Sequence, residues 1–160
     1  DKYLSEAEKI KMLQWCKEHK QTEVERIIII GLNTGARIRN ILSIQAGDVE
    51  DNYLRIWQNK ANKPYSIPLN PVMRELMKDF KPFTLKYSQV YHIFTQLKKD
   101  LQLDDDISIH TLRHTFCSNL IQKGVALPVI QALANHRQIQ TTMRYAHLCN
   151  KQLEEAINIL

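Results

Sequence analysis

The chain has 160 residues, of which 44% are hydrophobic and 24% charged, and its formal net charge is +5. This length fits one domain with a hydrophobic core, and the composition is that of a globular protein rather than a disordered chain. The longest apolar run, residues 27–32, is too short to cross a bilayer, so we expect no membrane-spanning segment. The basic balance is consistent with a polyanionic partner but does not identify one.

The cysteines and histidines argue against a disulfide framework and against a metal site. Cys16, Cys117 and Cys149 have no metal-ligand spacing, and their odd number does not suit a disulfide framework, so we expect free thiols, as in a reducing cytoplasm. No His-Glu-x-x-His pattern occurs, and we expect neither a metal nor a cofactor. The chain begins at Asp1 without a methionine, so we expect it to be a segment of a longer protein with further domains upstream.

The first predicted elements are helices. Capping-box sequences begin at Ser5 and at Thr22, each with a glutamate three residues later, and each predicts the start of a helix. The second of these helices contains the run at 27–32, which is apolar on most faces and is expected to lie in the core. Because glycine readily adopts a positive φ, Gly35 is expected to end that helix.

The middle of the chain combines a short helix with a hairpin, and helices follow. A short helix is expected at 38–44, and strand-forming residues at 53–57 and 65–69 predict a hairpin. Pro71, placed after Asn70, is expected to begin another helix. Further helices are predicted at 87–101, at 110–123, from Pro128 onward, just before Tyr145 and at 152–160. The sequence thus predicts one mainly helical (α+β) domain, residues 1–160, with a small antiparallel sheet.

Four segments carry residues suited to breaking a phosphodiester without a metal. Guanidinium groups match phosphate oxygens and stay charged at any working pH. A tyrosine can attack phosphorus when nearby cations or a base assist it, and a lysine or histidine can protonate the departing oxygen. The candidates are Arg37, Lys60 with Lys63 as its rival, His110 with Arg113, and His136 with Tyr145. His110 and Arg113 are three residues apart, so both can face one phosphate.

Each candidate also has a structural alternative when it is taken singly. A basic residue in a polar loop is usually solvated, a lone histidine is usually a surface or capping group, and a lone tyrosine is usually a packed aromatic. On this basis Arg37 could pair with Glu50 or Asp48, His110 could cap a helix, His136 could lie on the surface and Tyr145 could be packed in the core. His114 is expected to be structural, packed or hydrogen-bonded beneath the site, and His147 is also interpreted as structural.

Taken together and in order, TGARIRNILSI, NKANK, HTLRHTF and LANH followed by RYAHL resemble the boxes of the tyrosine recombinases. This family includes the phage integrases and the Xer-type resolvases, and the resemblance covers residues 34–147. It implies the fold of the DNA breaking-rejoining enzymes and site-specific recombination, here the integration or excision of a mobile element. It also implies that Tyr145 forms a 3′-phosphotyrosyl intermediate, which a 5′ hydroxyl then resolves.

The resemblance assigns a role to each of the other candidates. Arg37 and Arg113 would clamp the scissile phosphate, and His136 would hydrogen-bond to it. His110 would assist proton transfer to or from the tyrosine. Lys60 would protonate the departing 5′ oxygen. These roles require neither a metal nor ATP.

Three positions need comment beside the family pattern. Lys60 is preferred over Lys63 because of its distance from Pro68 in the resembling hairpin. Asn40 stands where the family commonly has an acidic residue, three residues after the first arginine. We expect this change to alter how Arg37 is held. Asn135 stands where glycine is usual, and since asparagine tolerates positive φ, we expect the turn to be kept.

The resemblance also implies partners. It implies double-stranded DNA as a partner, an upstream DNA-clamping domain, and the cytoplasm of a bacterium, with the gene bacterial or phage-borne. The last helix has Leu153, Ala156, Ile157 and Leu160 on one stripe. Packing within the chain is the simpler account of that stripe, whereas the resemblance implies docking onto a neighbour in a homotetramer on DNA. Two alternatives stay open, a catalytically impaired DNA-binding protein of the same fold and a topoisomerase-like enzyme.

Overall fold

The computed structural model describes residues 2–58 and 63–160. The α-helices in these ranges are α1 (Glu6–Glu18), α2 (Thr22–Thr34), α3 (Ile38–Leu42), α4 (Pro71–Leu76), α5 (Tyr87–Asp100), α6 (Thr111–Gln122), α7 (Leu127–Ala134), α8 (Ile139–Met143) and α9 (Asn150–Asn158). The strands are β1 (Val49–Glu50), β2 (Tyr53–Gln58) and β3 (Lys63–Pro68), and 3₁₀ helices lie at Ala46–Asp48 and Ala146–Cys149. The predicted class, mainly helical with a small antiparallel sheet, is confirmed.

One of the two predicted capping boxes forms. The Ser5 hydroxyl accepts from the Glu8 backbone N–H at 3.1 Å, and the Glu8 carboxylate accepts from the Ser5 N–H at 2.7 Å. The box predicted at Thr22 is wrong. Thr22 is already the first helical residue, and Gln21 holds the cap position without a side-chain hydrogen bond. The position of this helix is therefore set by its apolar residues rather than by a cap.

The central helix of the fold is α2, which packs against α1, α3 and α6. Its apolar side chains are removed from water, and burying each one stabilises the fold by about 1.5–3 kcal/mol. The buried members are Val24, Ile27, Ile28 and Ile30. A Cβ on Gly31 would lie 3.0 Å from the Leu112 side chain, so the missing side chain lets α6 approach closely. The core prediction for residues 27–32 is confirmed.

The sheet has the order β1-β2-β3, and both pairings are antiparallel. On β2, the buried Leu54 and Ile56 alternate with Arg55 and Trp57, which are only partly covered or exposed. This period of two is what a sheet with one covered face requires. The sheet contacts α3 through β2, so the predicted hairpin stands beside the segment that carries Arg37.

The last helix, α9, leaves its apolar side uncovered. Leu153 is 63% exposed and Ile157 is 69% exposed, so the expectation that this stripe packs within the chain is wrong. The helix is held instead by Gln152, whose amide donates to the carbonyl of Ile121 at 2.7 Å and to that of Gln122 at 3.2 Å. None of the helices in the described ranges is long and apolar enough to span a membrane.

Gly35 ends α2 in the left-handed conformation, with φ +66°, as predicted. Its N–H donates to the Gly31 carbonyl at 3.0 Å, which closes the last turn. A Cβ at this position would lie 2.4 Å from a ring carbon of Phe116 on α6. Both the backbone conformation and the packing therefore require glycine here.

We predict that Gly35→Ala destabilises the protein by about 3 kcal/mol, since a left-handed alanine costs about 1–2 kcal/mol and overpacking a core costs a further 1–3 kcal/mol. Urea unfolding would measure this loss. Gly47→Ala is the matched control. Apart from its chain neighbours, no heavy atom of the described residues lies within 4 Å of the position that its Cβ would take. Equal stabilities of the two variants would contradict this account.

Candidate active site

Arg37 lies at the start of α3, directly after the turn that ends α2, and its side chain is exposed. Within residues 2–58 and 63–160 it makes no ion pair. The partners proposed as its structural alternative are engaged elsewhere: Asp48 accepts from the Trp57 indole at 3.1 Å, and Glu50 pairs with Arg55 at 3.1 Å. The interpretation of Arg37 as half of a structural ion pair is therefore wrong.

Arg113 lies on α6 and is only 4% exposed. Its Nη1 donates to the Gly35 carbonyl at 2.6 Å, while its Nη2 is buried with no hydrogen-bond partner among the described residues. Burial and the nearby charge of Arg37 lower the pKa of Arg113. A buried cation with an unpaired donor is costly for a fold, so the arrangement suits an anion that accepts from Nη2.

His136 follows the end of α7, where Asn135 adopts the left-handed conformation with φ 53°. The prediction that Asn135 keeps this turn is confirmed. His136 is 7% exposed, and its Nδ1 is hydrogen-bonded to the Thr142 hydroxyl at 2.7 Å, so the surface alternative is wrong. Burial first, and then Arg113 and Arg37, lowers the pKa of His136 to about 4. The ring is therefore neutral at pH 7.

His110 precedes the first residue of α6 and makes no capping hydrogen bond with its side chain. Although the residue as a whole is exposed, partial burial of the ring, together with His114, Arg113 and Arg37, lowers the pKa of His110 to about 4. Its ring meets that of His114 edge to face, with 4.7 Å between the ring centres. His110 thus occupies the cap position but does not serve as a cap.

A cleft of about 830 Å³ brings several of these residues together. Arg37, His110 and His136 line it, and Arg113 lies against the carbonyl of Gly35, two residues before Arg37. The cleft also contains residues that the sequence analysis did not single out, namely Arg39, Tyr87, Tyr91, Ser108, Arg137 and Thr141. The guanidinium of Arg39 stacks over the Tyr87 ring at 4.5 Å.

Asn40, the departure from the acidic pattern, is 6% exposed and also lines the cleft. Its effect on Arg37 stays a prediction. The residues missed by sequence reasoning had a weak signal. Arg39 stands two residues after Arg37, and Tyr87 and Tyr91 are four apart, which places them on one face of α5.

Tyr145 lies between α8 and the 3₁₀ helix Ala146–Cys149 and is 4% exposed. It does not line the cleft. Its hydroxyl lies 2.6 Å from Nδ1 of His114. Burial first, and then the Cys117 thiol, raises the pKa of Tyr145, while Arg113 opposes the rise. The ring is packed, as its structural alternative predicted, but the hydroxyl belongs to a polar cluster beside the buried arginine.

His114 is half-buried and hydrogen-bonded, as predicted. Its partner, Tyr145, was not predicted. His147 is exposed, and its Nδ1 lies 2.9 Å from the Arg144 carbonyl. Lys60 lies outside the described residues. Lys63 is exposed and pairs in the sheet with Gln58, a residue that lines the cleft, so the base of the hairpin reaches the site.

The arrangement is suited to holding a phosphate-like anion. Arg113 supplies a buried, unpaired donor, and Arg37 supplies an exposed cation beside it. Neutral histidines on either side can donate or accept single hydrogen bonds, because their lowered pKa keeps them uncharged at pH 7. The tyrosine hydroxyl belongs to a class of side chain that can act as a nucleophile when a base or nearby cations assist it.

Known proteins share both this sequence and this fold. The integrase of Escherichia phage 186 is 29% identical over 150 residues, which are 92% of this chain and 44% of that protein. The tyrosine recombinase XerA of Saccharolobus solfataricus is 29% identical over 157 residues, covering 92% of this chain and 52% of that protein. The chain thus spans about half the length of these curated relatives.

Among solved structures, the catalytic domain of bacteriophage HP1 integrase matches with a TM-score of 0.80 at 25% identity, over 98% of this chain and 93% of that one. The Tn1549 transposon integrase, solved in complex with circular intermediate DNA, shares the fold with a TM-score of 0.71 at 21% identity, over 90% of this chain and 62% of that one. The family model described as "Phage integrase family" matches residues 2–152. This chain is therefore a member of the phage integrase family.

Proposed function

We propose that this chain is the catalytic domain of a tyrosine recombinase, which breaks and rejoins double-stranded DNA at specific sites through Tyr145. The observation that carries the proposal is the buried, unpaired Nη2 of Arg113. Arg113 is bonded to Gly35, two residues before the cleft residue Arg37, and its charge acts on both Arg37 and Tyr145. Names of relatives, among them phage integrases and a tyrosine recombinase, support it. The phage relatives favour integration or excision of a mobile element.

In the proposed reaction, two guanidinium groups hold the scissile phosphate. Arg113 donates from Nη2 and Arg37 from the cleft surface, so charge that develops on the non-bridging oxygens meets fixed donors. His136 has its Nδ1 engaged with Thr142, which leaves Nε2 to donate to the phosphate. Because neither arginine is neutralised by a carboxylate in the described ranges, both charges are available to the substrate.

The proposed chemistry is a transfer of the phosphoryl group to the tyrosine and back. The oxygen of Tyr145 attacks phosphorus, the bond to the 5′ oxygen breaks, and a 3′-phosphotyrosyl linkage forms. We assign protonation of the 5′ oxygen to Lys60 from the resemblance of the hairpin. A 5′ hydroxyl then attacks the linkage and releases the tyrosine. One phosphoester bond is made for each one broken, so no other energy source is needed.

The surroundings of the cleft suit a nucleic-acid backbone. Arg39 and Arg137 add cations to the wall, and Tyr87 and Tyr91 add aromatic surface. Most contacts between proteins and DNA go to phosphates, and they come preferentially from such groups. The Tn1549 integrase, which shares the fold, was solved in complex with DNA.

A second candidate function is DNA binding without cleavage. The burial of Tyr145 at 4% exposure favours it, because an attacking hydroxyl must reach phosphorus and this residue does not line the cleft. Asn40 also departs from the acidic pattern beside Arg37. Such a protein would bind DNA with the same salt dependence but would form no covalent adduct.

We also propose that α9 docks onto a second copy of the chain in a homotetramer on DNA. Its apolar stripe is exposed at Leu153, Ile157 and Leu160, and burying apolar surface is the main driving force of association. A contiguous exposed apolar patch of this kind is typical of a binding site. The helix is anchored by Gln152 on its other side, so the stripe can be covered without unfolding the chain.

We predict that inorganic phosphate stabilises the protein through Arg113. At a phosphate concentration tenfold above the dissociation constant, mass action gives about 1.4 kcal/mol. Unfolding in phosphate and in chloride at equal ionic strength would measure the difference. Arg113→Met should lose the gain. Arg74→Met is the matched control, because Arg74 also donates to a backbone carbonyl, that of Leu69 at 2.9 Å, but lies outside the cleft. An equal response of all three proteins would contradict phosphate binding at Arg113.

We predict a covalent adduct on Tyr145 when the full-length protein meets nicked suicide DNA carrying its own site, in EDTA. Denaturing electrophoresis would detect the adduct, and peptide mass spectrometry would locate it. Tyr145→Phe should abolish it, whereas Tyr91→Phe, which alters an exposed tyrosine of the cleft, should keep it. Arg113→Lys should slow it by about 100-fold or more, because the fixed fork is lost.

Three results of that experiment would separate the alternatives. An adduct that persists in Tyr145→Phe would contradict the assignment of the nucleophile. Binding to DNA without any adduct would favour the second candidate function. Lys60→Ala and Lys63→Ala would separate the two hairpin lysines, since only the variant that lacks the acid should release the 5′ end slowly.

We predict that replacing Leu153 and Ile157 with glutamine prevents tetramer formation on DNA but leaves DNA binding by the single chain intact. Analytical ultracentrifugation of the complexes would show the change. Glu154→Gln, on the same helix but off the apolar stripe, is the control. Deletion of residues 151–160 should have the same effect on assembly. Unchanged tetramers in the double variant would exclude α9 as the docking element.

A further inference from the structure

We propose that His114 is the proton acceptor for Tyr145, and is therefore a catalytic residue. This inference rests on the proposed function, because it concerns the same reaction. None of the roles implied by the family resemblance includes this histidine. The proposal is carried by the contact between the two side chains and by the seclusion of the hydroxyl.

The contact is short and it joins two separate parts of the fold. Nδ1 of His114, on α6, lies 2.6 Å from the hydroxyl oxygen of Tyr145, which comes 31 residues later in the chain. A general base must lie within hydrogen-bond reach of the proton that it removes, and this distance meets that condition. His110, the histidine to which the resemblance gives proton transfer, meets the edge of the His114 ring rather than the hydroxyl.

The seclusion of the hydroxyl leaves few other acceptors. Tyr145 is 4% exposed, so bulk water has little access to it. Arg113 and Arg144 are cations and accept no proton, and the Cys117 thiol is a further polar neighbour. Burial raises the pKa of Cys117, so it stays protonated and is a poor acceptor. Among the described residues that surround the hydroxyl, His114 is thus the group with a basic atom directed at the proton.

The charge state of His114 at pH 7 fits this role. Burial, and neighbouring positive charges that include Arg144 and Arg113, lower the pKa of His114, so the neutral ring prevails. His110, at the cap position of the helix that carries His114, is also neutral at pH 7 because its pKa is about 4. A neutral ring with its proton on Nε2 offers a lone pair at Nδ1. The phenol then donates to His114.

The step balances as follows. The bond from the Tyr145 oxygen to phosphorus forms while the phenolic proton moves to Nδ1, and His114 becomes an imidazolium. The bond from phosphorus to the 5′ oxygen breaks, and that oxygen takes a proton from a different group, assigned above to Lys60. The negative phosphate held by Arg113 favours the new imidazolium. When a 5′ hydroxyl resolves the linkage, it gives its proton to the group that protonated the 5′ oxygen, the bond from phosphorus to the phenol oxygen breaks, and that oxygen takes its proton back from Nδ1.

Kinetics of adduct formation in the full-length protein would test the proposal. His114→Asn keeps a carbonyl acceptor near the position of Nδ1 but removes the basicity, and His114→Ala removes both. We expect both variants to be slower at pH 7 by about 100-fold or more, the usual contribution of general-base catalysis. Restoration of the wild-type rate by asparagine would overturn the proposal, since the histidine would then only position the hydroxyl. Faster reaction in both variants would also overturn it, because the contact would then hold the nucleophile back.

The pH profile gives a readout that a structural role would not change. Because the neutral ring is the acceptor, the wild-type rate should be level above the pKa of His114 and fall as pH drops below it. In His114→Asn the reaction needs tyrosine that is already ionised, so its rate should rise about tenfold per pH unit through neutral pH. His147→Asn is the control, since its Nδ1 faces the Arg144 carbonyl instead of the phenol. A profile of His114→Asn parallel to the wild type would refute the role.

A measurement without DNA separates this inference from the proposed function. Nitrogen-15 NMR of the His114 ring at pH 7 should show the proton on Nε2 and none on Nδ1. A proton on Nδ1 would overturn the inference, because the ring would then donate to the phenol. If the wild type forms an adduct and His114→Asn matches it, only this inference fails. If the wild type forms no adduct on its own site, the proposed function fails and the inference falls with it.

Discussion

The fold depends at its centre on one hydrogen bond, between the guanidinium of Arg113 and the carbonyl of Gly35. It joins α6 to the end of α2, the helix that packs against α1, α3 and α6, and so fixes a charge against the core. Gly35 can present that carbonyl only because it has no side chain to meet Phe116. The contact between the two helices and the position of the buried guanidinium therefore depend on the same feature.

Burial and the charge of Arg113 have opposite effects on the pKa of Tyr145, since burial raises it and the guanidinium lowers it. Burial disfavours every ionised form, which is why His110 and His136 are neutral at pH 7 while the pKa of Tyr145 is raised. The arginines cannot be neutralised in the same way, since a guanidinium keeps its proton. The site consequently places neutral histidines beside Arg113 and the arginines of the cleft, Arg37, Arg39 and Arg137. A bound anion would offset the repulsion between Arg113 and Arg37.

Local signals in the sequence predicted much of this. At Ser5, Gly35 and Asn135 the residue type itself favours a particular backbone geometry. Each of these three local structures was found as predicted. The candidate residues were selected because their types suit one chemistry and their order resembles the boxes of the family, and their roles stay predictions. The capping box at Thr22 failed because the apolar run of that helix sets its position more strongly than a cap can.

What the sequence could not supply is distance across the fold. The approach of His114 to Tyr145 results from how the 3₁₀ helix Ala146–Cys149 packs against α6, and nothing local to either residue reports it. The sequence could not place Tyr87 and Tyr91 of α5 in the cleft for the same reason. Exposure of the α9 stripe could not be predicted either, since an apolar period looks the same whether it faces its own core or solvent.

The amide of Gln152 closes the carbonyl end of α6, the helix that carries Arg113 and His114 near its other end. A polar side chain of α9 thus hydrogen-bonds to α6 of its own chain, while the apolar side chains of α9 face solvent. The outer side of α9 can therefore be covered while the amide keeps its two hydrogen bonds to the end of α6. One terminal segment thus combines an internal helix cap with an apolar surface that stays accessible.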